Sequence, residues 1–238
     1  MKIVTWNIGE DERYTDGKLT IDSYDYIIDT ILKNDIDIIC LQEAIVKSEY
    51  IETIANYIKE NTELKYSVEY DLSDSHINIG CRMGVVVCSK YELNCKEKFL
   101  FDNPKLVYKI NENTTFYSHD KGFLFLEVEG IKLFVGHCLP FHLFKQDSKD
   151  FKEMFSRADD KFIENYNKED KMIICGDFNY QDIQILFPKI MNLCKDVVKE
   201  TTKKNRISDH FIVNDVVNVK SVQVEENIFD HKFVLVEI

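Results

Sequence analysis

Residues 172–179 read Met-Ile-Ile-Cys-Gly-Asp-Phe-Asn: an apolar run of strand length that breaks into Gly176-Asp177-Phe178-Asn179. Consecutive apolar residues closed by a turn signal fit a buried strand. The glycine lets the chain turn off the strand end, and the spacing of Asp177 and Asn179 puts both side chains on one side of an extended turn. The same arrangement recurs along the chain. Residues 2–6 run into Asn7, residues 36–41 into Gln42-Glu43, and residues 132–135 into Gly136-His137. Two further clusters, Ser208-Asp209-His210 and Asp230-His231, open apolar runs at 211–213 and 233–238 instead of closing them. With those last strands antiparallel to the first four, all six clusters reach one rim of a β-sandwich.

Apolar residues recur at helical spacing over 21–32, and further helices are expected over 48–60, 148–166 and 182–194. Between them lie strand-like runs at 66–70, 84–88, 93–101, 116–117, 123–128, 132–137, 172–175 and 216–225, with Glu129-Gly130 as a hairpin turn. Strands in succession with helices between them predict an α/β fold in which mixed sheets are flanked by helices. Eight glycines and three prolines mark no interdomain linker, so residues 1–238 are expected to form a single domain.

The formal net charge of −12 argues against a protein that grips long duplex nucleic acid by counterion release. It does not exclude a nuclease, because a few local cations and a bound metal ion reverse the field at a site. There is no apolar run of about 18 residues, so no membrane span is expected. The opening residues read as a first strand, not as a signal-peptide core. Seven scattered cysteines without a C-x-x-C fit a reducing compartment, and a cytoplasmic location is expected.

Acids, amides and imidazoles gathered on one rim suit a divalent-metal phosphoester hydrolase. Glu43 is a hard oxygen ligand of the kind magnesium and manganese favour, or a carboxylate capping the next helix. Asn7 ties down a loop or orients Glu43. Asp177 is placed to deprotonate a water and Asn179 to donate to a phosphate oxygen; the plain alternative is an Asx turn. Asp209 can fix the tautomer of His231, which leaves Asp230 for the metal and turns His210 into packing. His137 can bond a phosphate oxygen. A zinc site with Cys138 and His142 matches no zinc spacing. Phe141 and His142, in the aromatic loop after Pro140, are expected to wall a substrate pocket or stack a base. Arg82 is a further substrate-binding candidate, with Lys121 and Lys232 as other cations near the rim, while residues 195–206 read as a solvated segment.

In this order, T-W-N-I, L-Q-E, G-H, G-D-F-N, S-D-H-F-I-V and D-H resemble the signature blocks of the endonuclease/exonuclease/phosphatase superfamily, from residue 5 to residue 231. The resemblance implies a four-layer α/β sandwich: two packed mixed sheets with helices outside and a metal site at one end. It implies hydrolysis of a phosphoester, most readily a nucleic-acid or nucleotide phosphodiester, with Mg2+ as cofactor and Mn2+ as a substitute. Small phosphorylated substrates, such as an inositol phosphate or a lipid head group, are the alternative, and a non-catalytic binding module a third. Asn7, Glu43 and Asp230 would serve the metal; Asp177 would activate water, Asn179 bind phosphate, and Asp209 orient His231. His137 would be the histidine of the T-H-L block. The sequence departs from the pattern at Phe229, where a small polar residue is usual, and around His137, where Gly136 and Cys138-Leu139-Pro140 replace threonine and leucine.

Overall fold

Alternating burial along the strands sets the layers. The computed structural model describes residues 1–9, 14–15, 18–19, 22–75, 77–109, 111–112 and 115–238. One six-stranded mixed sheet has the order β15 (Ser221–Glu225), β16 (Phe233–Glu237), β1 (Lys2–Asn7), β4 (Ile38–Lys47), β6 (Arg82–Ser89) and β5 (Tyr66–Asp74). The other runs β13 (Cys194–Asp196), β14 (Asp209–Asn214), β12 (Lys171–Asp177), β11 (Ile131–His137), β10 (Gly122–Val128) and β7 (Asn94–Leu100). Two small pairs stand apart: β2 (Tyr14–Thr15) with β3 (Lys18–Leu19), and β8 (Val107–Lys109) with β9 (Thr115–Tyr117).

Ile3 in β1 and Cys40 in β4 face Leu133 and Val135 in β11 and Ile173 and Cys175 in β12, forming the core between the sheets. The intervening residues point outward. Val4, Trp6, Ile39 and Leu41 meet Ile27 and Ile31 of helix α1 (Asp22–Asn34) and Ile54 and Ile58 of α2 (Ile54–Asn61). Phe134 and Ile174 meet Phe155 and Phe162 of α3 (Lys152–Asn165). Period-two strands buried on both faces thus yield the expected four-layer α/β sandwich.

The pairing brings the polar clusters to one rim. β1 and β4 are parallel, as are β11 and β12, with Asn7 beside Gln42 and His137 beside Asp177. β14 runs antiparallel to β12 and sets Asp209 opposite Asp177; β16 runs antiparallel to β1, so the His231 that precedes it lies at the same end. Gly136 and Gly176 are register partners here. Gly176 has φ +143°, and a Cβ on it would lie 1.9 Å from the Gly136 carbonyl oxygen, so no larger residue fits.

Several expected elements are shorter. The helix expected over 48–60 begins only at Ile54, because the Ser48 hydroxyl accepts the backbone N–H groups of Tyr50 and Ile51 and holds a turn ahead of it. The helix expected over 182–194 is a four-residue turn, α4 (Ile183–Leu186), then a 3-10 turn at Ile190–Asn192 and strand β13. Pro188 explains the break, since it lacks an N–H and bars helical geometry at the residue before it. The strand expected over 216–225 pairs only from Ser221, and position 21, the expected start of α1, lies outside the described residues. No helix among the described residues is long and apolar enough to cross a membrane. All seven cysteines are free.

Candidate active site

Two backbone irregularities aim the central carboxylates. The β4–β6 register shifts between Gln42 and Ala44, leaving Glu43 as a bulged residue with φ +52°. A bulge re-aims one side chain out of the alternation, and a non-glycine residue in the left-handed region is uncommon enough to mark a functional position. Asn179, with φ +53°, closes the turn after β12 and donates its backbone N–H to Asp177 Oδ1 at 2.8 Å. The other carboxylate oxygen of Asp177 accepts from Asn7 Nδ2 at 2.9 Å and Asn179 Nδ2 at 3.1 Å. His137 Nε2 lies 3.5 Å and His231 Nε2 3.7 Å from it. Glu43 Oε1 stands 3.4 Å from His137 Nε2 and 3.6 Å from Lys121 Nζ. Residues from both sheets therefore converge on Asp177.

His231 donates Nδ1–H to Asp209 Oδ2 at 2.8 Å, while Trp6 Nε1 and Asn227 Nδ2 hold its backbone carbonyl. Asp209 is sealed from solvent, and its Oδ1 finds no partner among the described residues. Burial alone would keep the imidazole neutral, but the charges of Asp209 and Asp177 outweigh it and raise its pKa to about 9. Burial, reinforced by the Asp209 and Glu43 carboxylates, lifts Asp177 to about 6 against the pull of His231 and the Asn7 hydrogen bond.

Lys203 is the residue that sequence reading missed. Thr202 Oγ1 accepts the backbone N–H groups of Ser208 and Asp209, and its carbonyl accepts from Lys232, which folds the 202–206 turn onto the rim. Lys203 Nζ thereby sits 2.6 Å from His231 Nε2 and 2.8 Å from Asp230 Oδ2. Opposite demands meet at Nε2. A neutral ring accepts from the ammonium, whereas the imidazolium that Asp209 and Asp177 favour turns both groups into donors and leaves Lys203 to Asp230. The only sequence signal was three cations, Lys203, Lys204 and Arg206, packed just before Ser208-Asp209-His210.

A cavity of about 720 Å3 opens over this rim. Asn7, Glu43, Lys121, Asp177, Asn179 and Asp230 line its floor; Lys203, Lys204 and Arg206 form one wall, and Phe116, Tyr117 and Leu143 contribute apolar surface. His142 lines it too, with Nε2 accepting from Arg206 at 2.9 Å; burial and the Arg206 charge push its pKa down to about 4.

Three expectations change. Phe141 does not line the cavity: it is fully buried and stacks on Phe151 at 4.1 Å, because the turn after Pro140 folds its ring into the α3 core. Arg82 does not reach the cavity either; Asp71 and Asp74 on the neighbouring strand hold its guanidinium at 2.8 Å each. Asn179, expected to donate to phosphate, spends both amide N–H groups on Asp177 Oδ2 and the Cys138 carbonyl, at 3.1 Å each. His210 turns into packing as expected, bonded to Asp196 and the Tyr180 carbonyl. Lys232 pairs with Glu226, and Phe229 packs edge-on against Trp6.

The donor chemistry can be tested against a cation. Asp177, Asp209 and His231 offer ligand atoms within 4.8 Å of one another, a possible metal site. Asp209 already spends Oδ2 on the imidazole, so the carboxylates a cation reaches from the cavity are Glu43, Asp177 and Asp230. Oxygen donors of this kind fit a hard divalent ion.

The family model of the Endonuclease/Exonuclease/phosphatase family matches residues 4–224. The chain belongs to this family. Members are typically metal-dependent hydrolases of phosphoester bonds. Among solved structures, an AP endonuclease from Archaeoglobus fulgidus has a TM-score of 0.66 at 13% identity, with 100% of this chain and 98% of that one covered. A mannosyl-6-phosphatase from Bacteroides thetaiotaomicron has a TM-score of 0.62 at 15% identity, covering 100% and 98%. TDP2 from D. rerio, complexed with single-strand DNA product, has a TM-score of 0.63 at 13% identity, covering 99% and 97%. At these identities the likeness shows the family's fold alone. No curated protein matches the chain.

Proposed function

We propose that this family member hydrolyses a phosphodiester of a nucleic acid or nucleotide, with Mg2+ or Mn2+ as cofactor. The observation that carries the reading is Asp177: a carboxylate on a cavity floor, aimed by two amides and approached by two imidazoles. Glu43 would hold the cation, with Asn7 and Asp230 close by as further oxygen donors. When bound, the ion polarises a phosphoryl oxygen and offsets charge developing in the transition state.

The chain's own groups supply the rest. Asp177, ionised above about pH 6, takes a proton from the attacking water, and Asn7 and Asn179 keep its Oδ2 in place. His231, buried and held by Asp209, and Lys203 on the cavity wall bring two cationic groups together beside Asp177, where an anionic phosphate would be stabilised as charge builds. Lys204, Arg206, Phe116 and Tyr117 at the cavity wall supply charge for a neighbouring phosphate and faces for a stacked base, which supports a nucleotide-bearing substrate.

A second reading, a small phosphorylated substrate such as a sugar or inositol phosphate, is favoured by the net charge of −12 and by the likeness to a mannosyl-6-phosphatase. A panel of single- and double-stranded DNA, RNA, abasic DNA, tyrosyl-DNA, sphingomyelin, inositol phosphates and sugar phosphates, with Mg2+, Mn2+ or chelator, separates the two. Turnover of nucleic acid that chelator abolishes is expected. Turnover confined to the small monoesters would replace the first reading by the second, and no turnover anywhere would remove both.

A further inference from the structure

Lys121 is almost fully buried at the head of β10, where Gly122 pairs with His137 across the β10–β11 hairpin. Gly122 carries no side chain to fill the space; a Cβ there would lie 2.1 Å from the Phe99 carbonyl oxygen. The Lys121 side chain therefore runs beside the His137 ring and places Nζ 3.0 Å from Nδ1. An ammonium has three N–H donors and no lone pair. It can meet Nδ1 only as a donor, so Nδ1 holds the lone pair and the ring proton sits on Nε2.

The surroundings of Nε2 accommodate that tautomer without fixing it on their own. Glu43 Oε1 and Asp177 Oδ2 lie 3.4 Å and 3.5 Å away. A lone pair on Nε2 would lie close to two carboxylate oxygens and be repelled by them, whereas an N–H there is favoured by their charge. Asn179 Nδ2 also approaches Nε2, at 3.2 Å, but its two protons are committed to Asp177 Oδ2 and the Cys138 carbonyl. It has no third proton to give the imidazole.

We infer that Lys121 is a positioning residue that fixes His137 as the Nε2–H tautomer, with that proton beside the Glu43 and Asp177 carboxylates, so that the ring is neither a base nor a metal ligand. The ring then works as a proton-bearing clamp that keeps the cation-holding carboxylate and the water-activating carboxylate at a set separation. The consequence for rate rests on the hydrolytic reading above; the tautomer does not.

The test is nitrogen-15 NMR of the histidine rings in the metal-free full-length protein at neutral pH, with His137→Gln to assign the signal. The expected spectrum shows an unprotonated Nδ1 and a protonated Nε2. Lys121→Met should redistribute the proton toward Nδ1, and Lys121→Arg, whose guanidinium is also a pure donor, should keep it on Nε2. On the substrate found by the panel, Lys121→Met should lower kcat about tenfold to a hundredfold, the scale for partners that orient a site's primary ligands, with KM changed less and Lys121→Arg restoring most of the rate. A wild-type ring protonated on Nδ1 would overturn the inference, and so would a Lys121→Met spectrum identical to wild type. If Lys121→Met does not fold, the wild-type tautomer still decides. Absence of turnover with the expected tautomer bears on the hydrolytic reading alone.

Discussion

Replacing Asp209 by asparagine tests the His231 arrangement most directly. The wild-type carboxylate accepts Nδ1–H at 2.8 Å, and with Asp177 it raises the imidazole from 6.5 to about 9. That rise corresponds to about 3 kcal/mol favouring the imidazolium. Burial pulls the other way, so the two carboxylates together supply more than this, with Asp209 the larger contributor. In the variant the ring should be mostly neutral at neutral pH, with Nε2 accepting from Lys203 and no proton left for a phosphate. The amide NH2 also takes the place of Oδ1, which has no partner among the described residues, and an unsatisfied buried donor costs about 1–3 kcal/mol. Two assays follow from these numbers. In kcat against pH, the alkaline limb near 9 should move below neutrality, and the plateau should fall about a hundredfold or more. In urea unfolding against pH, the sign comes from the folded state holding the proton more tightly than the unfolded one. This stabilisation is complete below 6.5 and fades as pH rises through about 9. The wild type should lose stability across that window, and the variant should be flatter there as well as less stable throughout. A variant with an unmoved alkaline limb and wild-type turnover would refute the reasoning.

The other predictions address single links. Glu43→Gln should abolish calorimetrically detected Mg2+ or Mn2+ binding in a protein that still unfolds cooperatively in urea, and lower its stability because buried Lys121 loses a neighbouring carboxylate; retained cation affinity would move the metal elsewhere. Lys203→Met should leave Asp230 without its ion pair and reduce kcat about a hundredfold or more, a loss not recovered by added cation; full activity would return Lys203 to the solvated reading. Phe141→Ala should destabilise by about 3–5 kcal/mol in chemical denaturation with KM little changed, whereas a KM effect without destabilisation would restore its place in the pocket wall. Arg82→Ala should leave both turnover and KM near wild type, because its partners are Asp71 and Asp74; a large KM increase would contradict that.

The sandwich was legible because its strands are short apolar runs closed or opened by polar clusters, and strand direction then carries those clusters to one edge. What periodicity could not supply was the effect of single residues on the backbone. Pro188 cuts a helix that the apolar pattern extends to Cys194, and the Glu43 bulge is a φ angle, invisible in composition. At the rim, residue types announced the acids and imidazoles but not their partners. Lys203 lies in a charged segment that looks like any solvated loop, and only the Thr202 hydroxyl, by capturing two backbone N–H groups, folds it onto His231. Lys121 likewise depends on strand pairing, which sets it against a histidine well along the chain. Phe141 failed as a pocket residue for the complementary reason: an aromatic beside a catalytic histidine reads the same whether its ring turns toward solvent or inward.

Asn7 and Glu43 belong to one sheet, with His231 in the loop that leads into its strand β16, and His137, Asp177 and Asp209 belong to the other. Neither half alone assembles a working centre, so the reactive geometry exists only while the two slabs stay clamped face to face. Turnover should thus serve as a gauge of how well they are seated: a cavity opened at Val87 or Leu133, deep in the interface, ought to blunt the chemistry before it unfolds the protein.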